Sequence, residues 1–343
     1  MNAQRIDLTR AVLTTLVIVP LVAASGCGQR ESPPAAEPAP PAFVRAADHP
    51  ASGHLPASDA AVWRQPGGLD QDRYYAAVGN EGIMVQLADG AFLQRLAQSA
   101  ASHLAVLYAM PVDEVVADFL VAVDPTNSEL TWFEINAGSG ALRRLAGQPA
   151  AVDDTVGGLC THYDAGTRRH QVVVVTRAGD LQEWTAVAHA GKQPNFANRI
   201  IASRERAVPL GGAGGDCAVD ASGNIFVVVD GREVRRVNAD STLAAEALIR
   251  SGEPASLEGA ISAIDVATDG EGRPVLLIVD QDGRRLVATD ASGRLAGSAP
   301  LGHTVSALEA GGNSIAIVAD GGELRLGAWS EWAALLGIRG GQP

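Results

Sequence analysis

Ile225-Phe226-Val227-Val228-Val229-Asp230-Gly231-Arg232-Glu233-Val234-Arg235-Arg236-Val237 reads as two short strands folded back on one turn. The first run is apolar and β-branched. The second alternates polar with apolar residues. Asp-Gly between them suits a tight hairpin whose central residues need positive φ. The same pattern recurs five more times. Tyr74–Val78 faces Ile83–Leu87 across Asn80-Glu81-Gly82, and Phe119–Val123 faces Leu130–Ile135 across Asn127-Ser128-Glu129. Gln171–Thr176 leads through Ala178-Gly179-Asp180 to Leu181–Val187. Val275–Val279 and Arg285–Thr289 flank Asp282-Gly283, and Ser314–Val318 and Leu324–Trp329 flank Asp320-Gly321-Gly322. Successive hairpins begin roughly 40 to 55 residues apart, the spacing of propeller blades. Six such hairpins predict an all-β fold, a six-bladed β-propeller, which closes its ring and leaves only short edges. A β-sandwich is the alternative, and a regular wide period along the whole body does not suit it. Two stretches have helical character, Gly90–Ala101 and Ser330–Gly337.

Outward from this body, the start of the chain is not fold. Arg5 and Arg10 precede an uncharged apolar run, Ala11 to Ala24, too short for a permanent membrane span and right for a signal core. Ala24-Ser25-Gly26-Cys27 then resembles the lipobox of bacterial lipoproteins, with alanine where leucine is more usual. That resemblance implies cleavage before Cys27 and diacylglyceryl transfer to its thiol. Acyl chains anchor because each buried methylene contributes ~0.8 kcal/mol. Gly28, not aspartate, follows the cysteine, which by analogy with Gram-negative sorting implies the outer membrane, facing the periplasm. The stretch from Glu31 to Pro41 is mostly Pro and Ala and reads as an extended spacer. The expected organisation is a signal peptide over 1–27, a tether over 28–45 and a propeller over 46–343.

Hydrophobic residues make up 47% of the chain, enough for a packed core, although aromatics are only 4%. The net charge of −13 argues against nucleic acid and against electrostatic binding to an anionic membrane. Beyond Cys27 only Cys160 and Cys217 remain. In an oxidising compartment they pair, or they stand as buried small hydrophobes; the sequence leaves both open.

Several stretches resemble the β-propeller phytases. The clearest is Gly158-Leu159-Cys160-Thr161-His162-Tyr163-Asp164, continuing through Val172–Val175 and Thr176 to Gly179-Asp180-Leu181-Gln182-Glu183-Trp184. Asp216-Cys217-Ala218-Val219-Asp220-Ala221-Ser222-Gly223-Asn224-Ile225-Phe226 is the next. Asp59-Ala60-Ala61-Val62-Trp63 with Gly79-Asn80-Glu81-Gly82 is a third, and Asp269-Gly270-Glu271-Gly272-Arg273 before Leu276–Val279 a fourth. They stand in the family's order across nearly the whole body. The resemblance implies a calcium-dependent phosphomonoesterase acting on inositol hexakisphosphate. Crowded carboxylates at one mouth of the channel would hold calcium ions, which gather the phosphates and prepare a water for attack.

The match breaks at the expected site. Ser58-Asp59-Ala60-Ala61 keeps one acid where the family has two, and the family's lysine position falls near Asn80-Glu81. The asparagine and arginine of the second blade have no counterpart near Ser102–Tyr108. Gly157 replaces a tyrosine and Gly215 an acid, although Asp216 is adjacent. Ser256-Leu257-Glu258-Gly259 keeps one glutamate. Candidate metal ligands are therefore Asp59, Asp216, Asp220 and Glu258. Asp220 and Glu81 also suit plain turns, Glu258 a solvated loop, and Asp59 a strand start. Arg177 lies near a phosphate-gripping lysine of the family and is a candidate phosphate-binding cation, though not its equivalent.

No other chemistry stands out. Gly211-Gly212-Ala213-Gly214-Gly215 lacks the helix signal of a phosphate loop and reads as a flexible loop entering a strand. The sequence has no HExxH and no nucleophile elbow, and its seven histidines show no ligand spacing. The expectation is an envelope-anchored, phytase-like propeller with weakened catalysis, binding a phosphorylated small molecule or an envelope protein. An active calcium-dependent 3-phytase is the alternative, and an unrelated propeller scaffold the third.

Overall fold

In a computed structural model the chain is described over residues 41, 43–45, 56–65, 72–87, 89–97, 99–145, 150–190, 199–238, 246–252, 257–282, 284–311 and 313–340, with the backbone alone at 44, 45 and 320. Cys27, the lipobox and nearly all of the tether lie outside these residues. The six sequence hairpins are present, and each forms the two middle strands of a separate antiparallel sheet.

Strand β1 (Val44–Arg45) is set aside for the last sheet. The first blade is β2 (Asp59–Trp63), β3 (Arg73–Ala77), β4 (Ile83–Leu87) and β5 (Phe92–Leu96). The second is β6 (Leu104–Val112), β7 (Val115–Asp124), β8 (Glu129–Ile135) and β10 (Ala150–Ala151), with β9 (Leu142–Arg144) also on β8. The third is β11 (Val156–Asp164), β12 (Arg169–Thr176), β13 (Asp180–His189) and β14 (Arg199–Pro209). The fourth is β15 (Gly214–Val219), β16 (Ile225–Val229), β17 (Glu233–Val237) and β18 (Glu246–Arg250). The fifth is β19 (Ile261–Thr268), β20 (Pro274–Asp280), β21 (Arg285–Asp290) and β22 (Leu295–Pro300). The sixth is β23 (Val305–Gly311), β24 (Ser314–Ala319), β25 (Glu323–Ala328) and, from the far end of the chain, β1.

The protein is thus a six-bladed β-propeller. The inner strands β2, β6, β11, β15, β19 and β23 touch in that order and close on β2 again. The last blade borrows its outer strand, Val44 pairing with Leu326 and Arg45 with Arg325, so the first and last strands among the described residues share one sheet. The propeller therefore begins inside the stretch that reads as tether. Helix α1 (Trp329–Leu335) follows β25, and its Trp332 stacks on Phe43 with ring centroids 4.8 Å apart. Of the two expected helices, this one is present. Phe92–Leu96 is instead a strand: it pairs with β4, Ile83 opposite Leu96, because the first blade needs a fourth strand. Tertiary pairing overrides a weak helical pattern here.

Each blade face packs on the next through its own apolar cluster. Val174 and Trp184 meet Phe119 and Trp132 between the second and third blades. Leu277 and Val279 meet Ile315 and Ile317 between the fifth and sixth. The chain fills these layers with valine, leucine and alanine, each fully buried Val or Leu contributing about 1.5–3 kcal/mol. The turns follow the sequence signals: Asp230 and Gly231 both have positive φ, 53° and 63°, as the tight hairpin requires.

Candidate functional site

Because every inner strand lines the axis, a polar residue on one points into a shared channel. Four acids do so: Asp59 on β2, Asp216 on β15, Asp265 on β19 and Glu309 on β23. All four line a cavity of about 300 Å³ in the lower channel, with Tyr108, Thr161, His162, Tyr163 and His170. Asp59 and Asp216 also border a second cavity of about 440 Å³, at the upper opening where the inner strands begin. Ser58, Ser102, His103, Arg177, Ser262 and Ser306 surround it.

The acids share one bonding pattern. Leu104 N–H, on the next inner strand, donates to Asp59 at 2.7 Å. Ile264 N–H donates to Asp216 at 2.9 Å. Ala310 N–H donates to Asp265, and Val62 N–H to Glu309. In each case the carboxylate reaches from its own blade to the backbone of the following one. The second oxygens of Asp216 and Asp265 accept from the adjoining Cys217 N–H at 2.9 Å and Val266 N–H at 2.7 Å.

These acids therefore clasp four of the six inner junctions. Thr161 closes another, its hydroxyl donating to the Val106 carbonyl across the second and third blades at 2.6 Å. The last, between the third and fourth blades, is covalent: Cys160 and Cys217 form a disulfide with Cα atoms 5.9 Å apart. That settles the pairing left open by the sequence. At the same junction a Cβ on Gly158 would run into the Gly215 carbonyl, so β11 and β15 approach more closely than side chains allow. Gly214 and Gly215, which end the glycine-rich stretch, are thus strand residues in close packing.

Protein surrounds the four carboxylates, although they border the channel. Burial, reinforced by the Asp216 charge, pushes Asp59 up to about 8. Burial pushes Asp216 up to about 7, against the Arg177 charge and its two backbone hydrogen bonds. Asp265 rises to about 7 through burial, with the Asp216 charge adding to it. Glu309 is raised well above its ordinary value by burial and by the charges of Asp265, Asp59 and Asp216. The channel at neutral pH is therefore a proton-holding cluster, because close like charges disfavour full ionisation.

Of the candidate metal ligands, Asp59 and Asp216 are brought together here. Asp220 is not: it sits in the turn after β15, accepting from Ser222 N–H at 2.8 Å and from Asn224 N–H and Nδ2 at 2.9 Å. Glu258 is exposed beside the fourth and fifth blades, paired with Arg285 at 3.0 Å. Arg177 stands exposed in the turn after β12, close enough to Asp216 to lower its pKa and to His103 to help burial push that imidazole down to about 4. Asp265 and Glu309 were not among the candidates. Their one sequence signal is an acid inside an apolar run, Ala263-Ile264-Asp265-Val266 and Ala307-Leu308-Glu309-Ala310. Among the described residues, no three His, Cys, Asp or Glu side chains come close enough together to hold one metal ion. The arrangement does not fit a calcium cluster of the kind the phytase resemblance implies.

No family model matches the sequence, and no curated protein matches it. Among solved structures, BBS1N in complex with ARL6DN, soaked with mercury, matches with a TM-score of 0.50 and 12% identity over 85% of this chain and 98% of that one. The lead-soaked form gives 0.49 and 11% over 80% and 79%, and the computationally designed Ika8 protein 0.40 and 13% over 78% and 70%. At such identities the first of these likenesses speaks to fold alone, and the fold it supports is a β-propeller.

Proposed function

We propose that this chain is an envelope-anchored propeller that binds a ligand or docks a partner and does not hydrolyse phosphate esters. One observation carries the reading: the acids that meet in the channel are engaged in holding neighbouring blades together. A carboxylate that accepts backbone N–H bonds and holds a proton near neutral pH is a poor ligand for a divalent ion, which needs several ionised oxygens at once. The disulfide supports export, since such bonds persist in oxidising compartments. Anchoring rests on the lipobox-like Cys27, and outer-membrane placement on Gly28.

A second reading, an active calcium-dependent 3-phytase, has the grouping of Asp59, Asp216 and Arg177 at the upper opening in its favour. Phosphate release from phytate separates the two. Protein lacking residues 1–27 is expected to release almost none with calcium present. Turnover in the range of ordinary enzymes, lost in Asp59→Ala, would establish the second reading instead.

A further inference from the structure

Within each blade the strands alternate in direction, the inner and third descending from the upper opening and the second and outer climbing back. The large apolar side chains left exposed among the described residues follow that geometry. Val115 and Val116 open β7, Leu295 opens β22 and Ile201 is third in β14, all at the lower ends of climbing strands. Tyr163 and Val187 come near the ends of descending β11 and β13. Tyr108 borders the lower channel. None of these stands at the upper end. Exposed apolar groups gathered on one side mark a surface that meets something.

Val115 and Val116 are the barest, 64% and 70% exposed. They stand at the tip of the β6–β7 hairpin, whose strands of nine and ten residues outrun the five of β2 and β3 in the neighbouring blade. The pairing of β6 with β7 slips between Leu107 and Met110, and Ala109 there has a positive φ of 52°. Such a bulge re-aims a strand, and a non-glycine residue keeps that conformation only where its surroundings hold it. Asp118 holds it, accepting Ala109 N–H at 2.7 Å through one oxygen and Trp63 Nε1–H at 2.7 Å through the other. Met110 and Val112 bury one flank of the hairpin against the third blade. The two valines are thus fixed in place and left bare.

The course of the chain says which way this side points. β25 descends and β1 pairs with it antiparallel, so β1 climbs and the chain enters the propeller from the lower side. Phe43 is there, stacked on Trp332 of the helix that follows the lower end of β25. Fully extended, the chain from Cys27 to Pro41 reaches at most about 50 Å. A lipid at Cys27 therefore keeps the propeller close to the bilayer and pulls on its lower side.

We propose that the lower side is a membrane-docking face, resting on the bilayer that holds the anchor, with the Val115–Val116 tip seated at the boundary of headgroups and acyl chains. This rests on the anchoring at Cys27. The charges nearby suit zwitterionic headgroups. Asp113 and Glu114 at the tip, and Arg168 and Arg169 at the β11–β12 turn, are all exposed and answer the ammonium and the phosphate of such a lipid. Anionic lipid is disfavoured by the net charge of −13. Two valines make a small wedge, so the anchor supplies the attachment and the tip fixes the orientation. The upper opening, with Arg177 and Asp216, then faces away from the membrane.

The test places mature protein in vesicles of phosphatidylcholine and phosphatidylethanolamine. A polarity-sensitive fluorophore sits on Val116→Cys or, as control, on Arg232→Cys in the upper β16–β17 turn. Mass spectrometry reads the diacylglyceryl group on Cys27. The probe at 116 should shift to the blue and be quenched by lipid brominated in its acyl chains, and the probe at 232 should do neither. Protein lacking residues 1–27 should bind the same vesicles weakly. Val115→Ser with Val116→Ser should lower that binding about tenfold, the scale of partly burying two valines, with Tm unchanged because both positions are exposed. Adding anionic phosphatidylglycerol should weaken it further. A probe at 116 that stays in water while Cys27 carries its lipid, equal quenching at both positions, or serine variants that bind like the parent overturn the proposal. Burial of the probe at 116 without vesicles also overturns it, assigning the tip to a second copy or another protein. An unlipidated Cys27 overturns the anchoring reading instead, and vesicle binding by the protein lacking residues 1–27 then decides the face by itself.

Discussion

The junction between the third and fourth blades and the junction between the fifth and sixth solve one problem by different means. At the former, paired glycines let two inner strands approach and a disulfide ties them. At the latter, Asp265 reaches across and accepts Ala310 N–H. The covalent tie is indifferent to pH and vulnerable to reductant. The carboxylate clasp is indifferent to reductant, but it places a titratable group among three others in one channel. The charged residues of this ring therefore hold structural positions first, because they stand where an uncharged tie serves as well.

The largest expected effect falls on the covalent side. Replacing both Cys160 and Cys217 by serine opens a link between positions 57 residues apart, and chain entropy places the loss at roughly 4 kcal/mol in urea unfolding. On the acid side, Asp265→Ala leaves Val266 and Ala310 N–H groups without that acceptor. A loss of about 1–3 kcal/mol is expected at pH 6. It should shrink at pH 9, where the wild-type ring carries its own repulsion; an equal loss at both would separate the clasp from the charge. Gly158→Ala forces β11 away from the Gly215 carbonyl and should cost about 1–3 kcal/mol. Thr161→Val, which removes one hydroxyl bond and keeps the shape, is the smallest, about 1 kcal/mol.

The fold was largely legible in the sequence, and the site only in part, for one physical reason. The first middle strand of each blade is largely buried on both faces and leads into a turn marked by glycine, aspartate or asparagine, so Ile225–Val229 and its five counterparts announce themselves. Outer strands are less fully buried and lose that signal: Phe92–Leu96, half-buried throughout, has the look of a helix, and Val44–Arg45, only two residues long, falls within the stretch that reads as tether. Inner strands face a channel, and an acid there looks like an ordinary solvent-facing residue. Asp59 and Asp216 drew notice through the phytase resemblance. Asp265 and Glu309 had no such help, and their meeting depends on ring closure, which brings together strands far apart in sequence.

Stability against pH tests the central account, that the channel acids are clasps sharing protons. Asp59, Asp216 and Asp265, raised to about 8, about 7 and about 7, bind protons in the folded protein that the unfolded chain, titrating near ~4, has already released. Their contribution is whole below the unfolded value and declines as pH rises toward 8. Asp164, Asp269 and Asp290 are shifted the other way, and what they add is lost only in the acid range below the ordinary carboxylate value. Urea unfolding between pH 5 and pH 9 should therefore show stability falling by more than about 2 kcal/mol, with Glu309→Gln flattening the slope. Stability that holds level or climbs across that window would contradict the account.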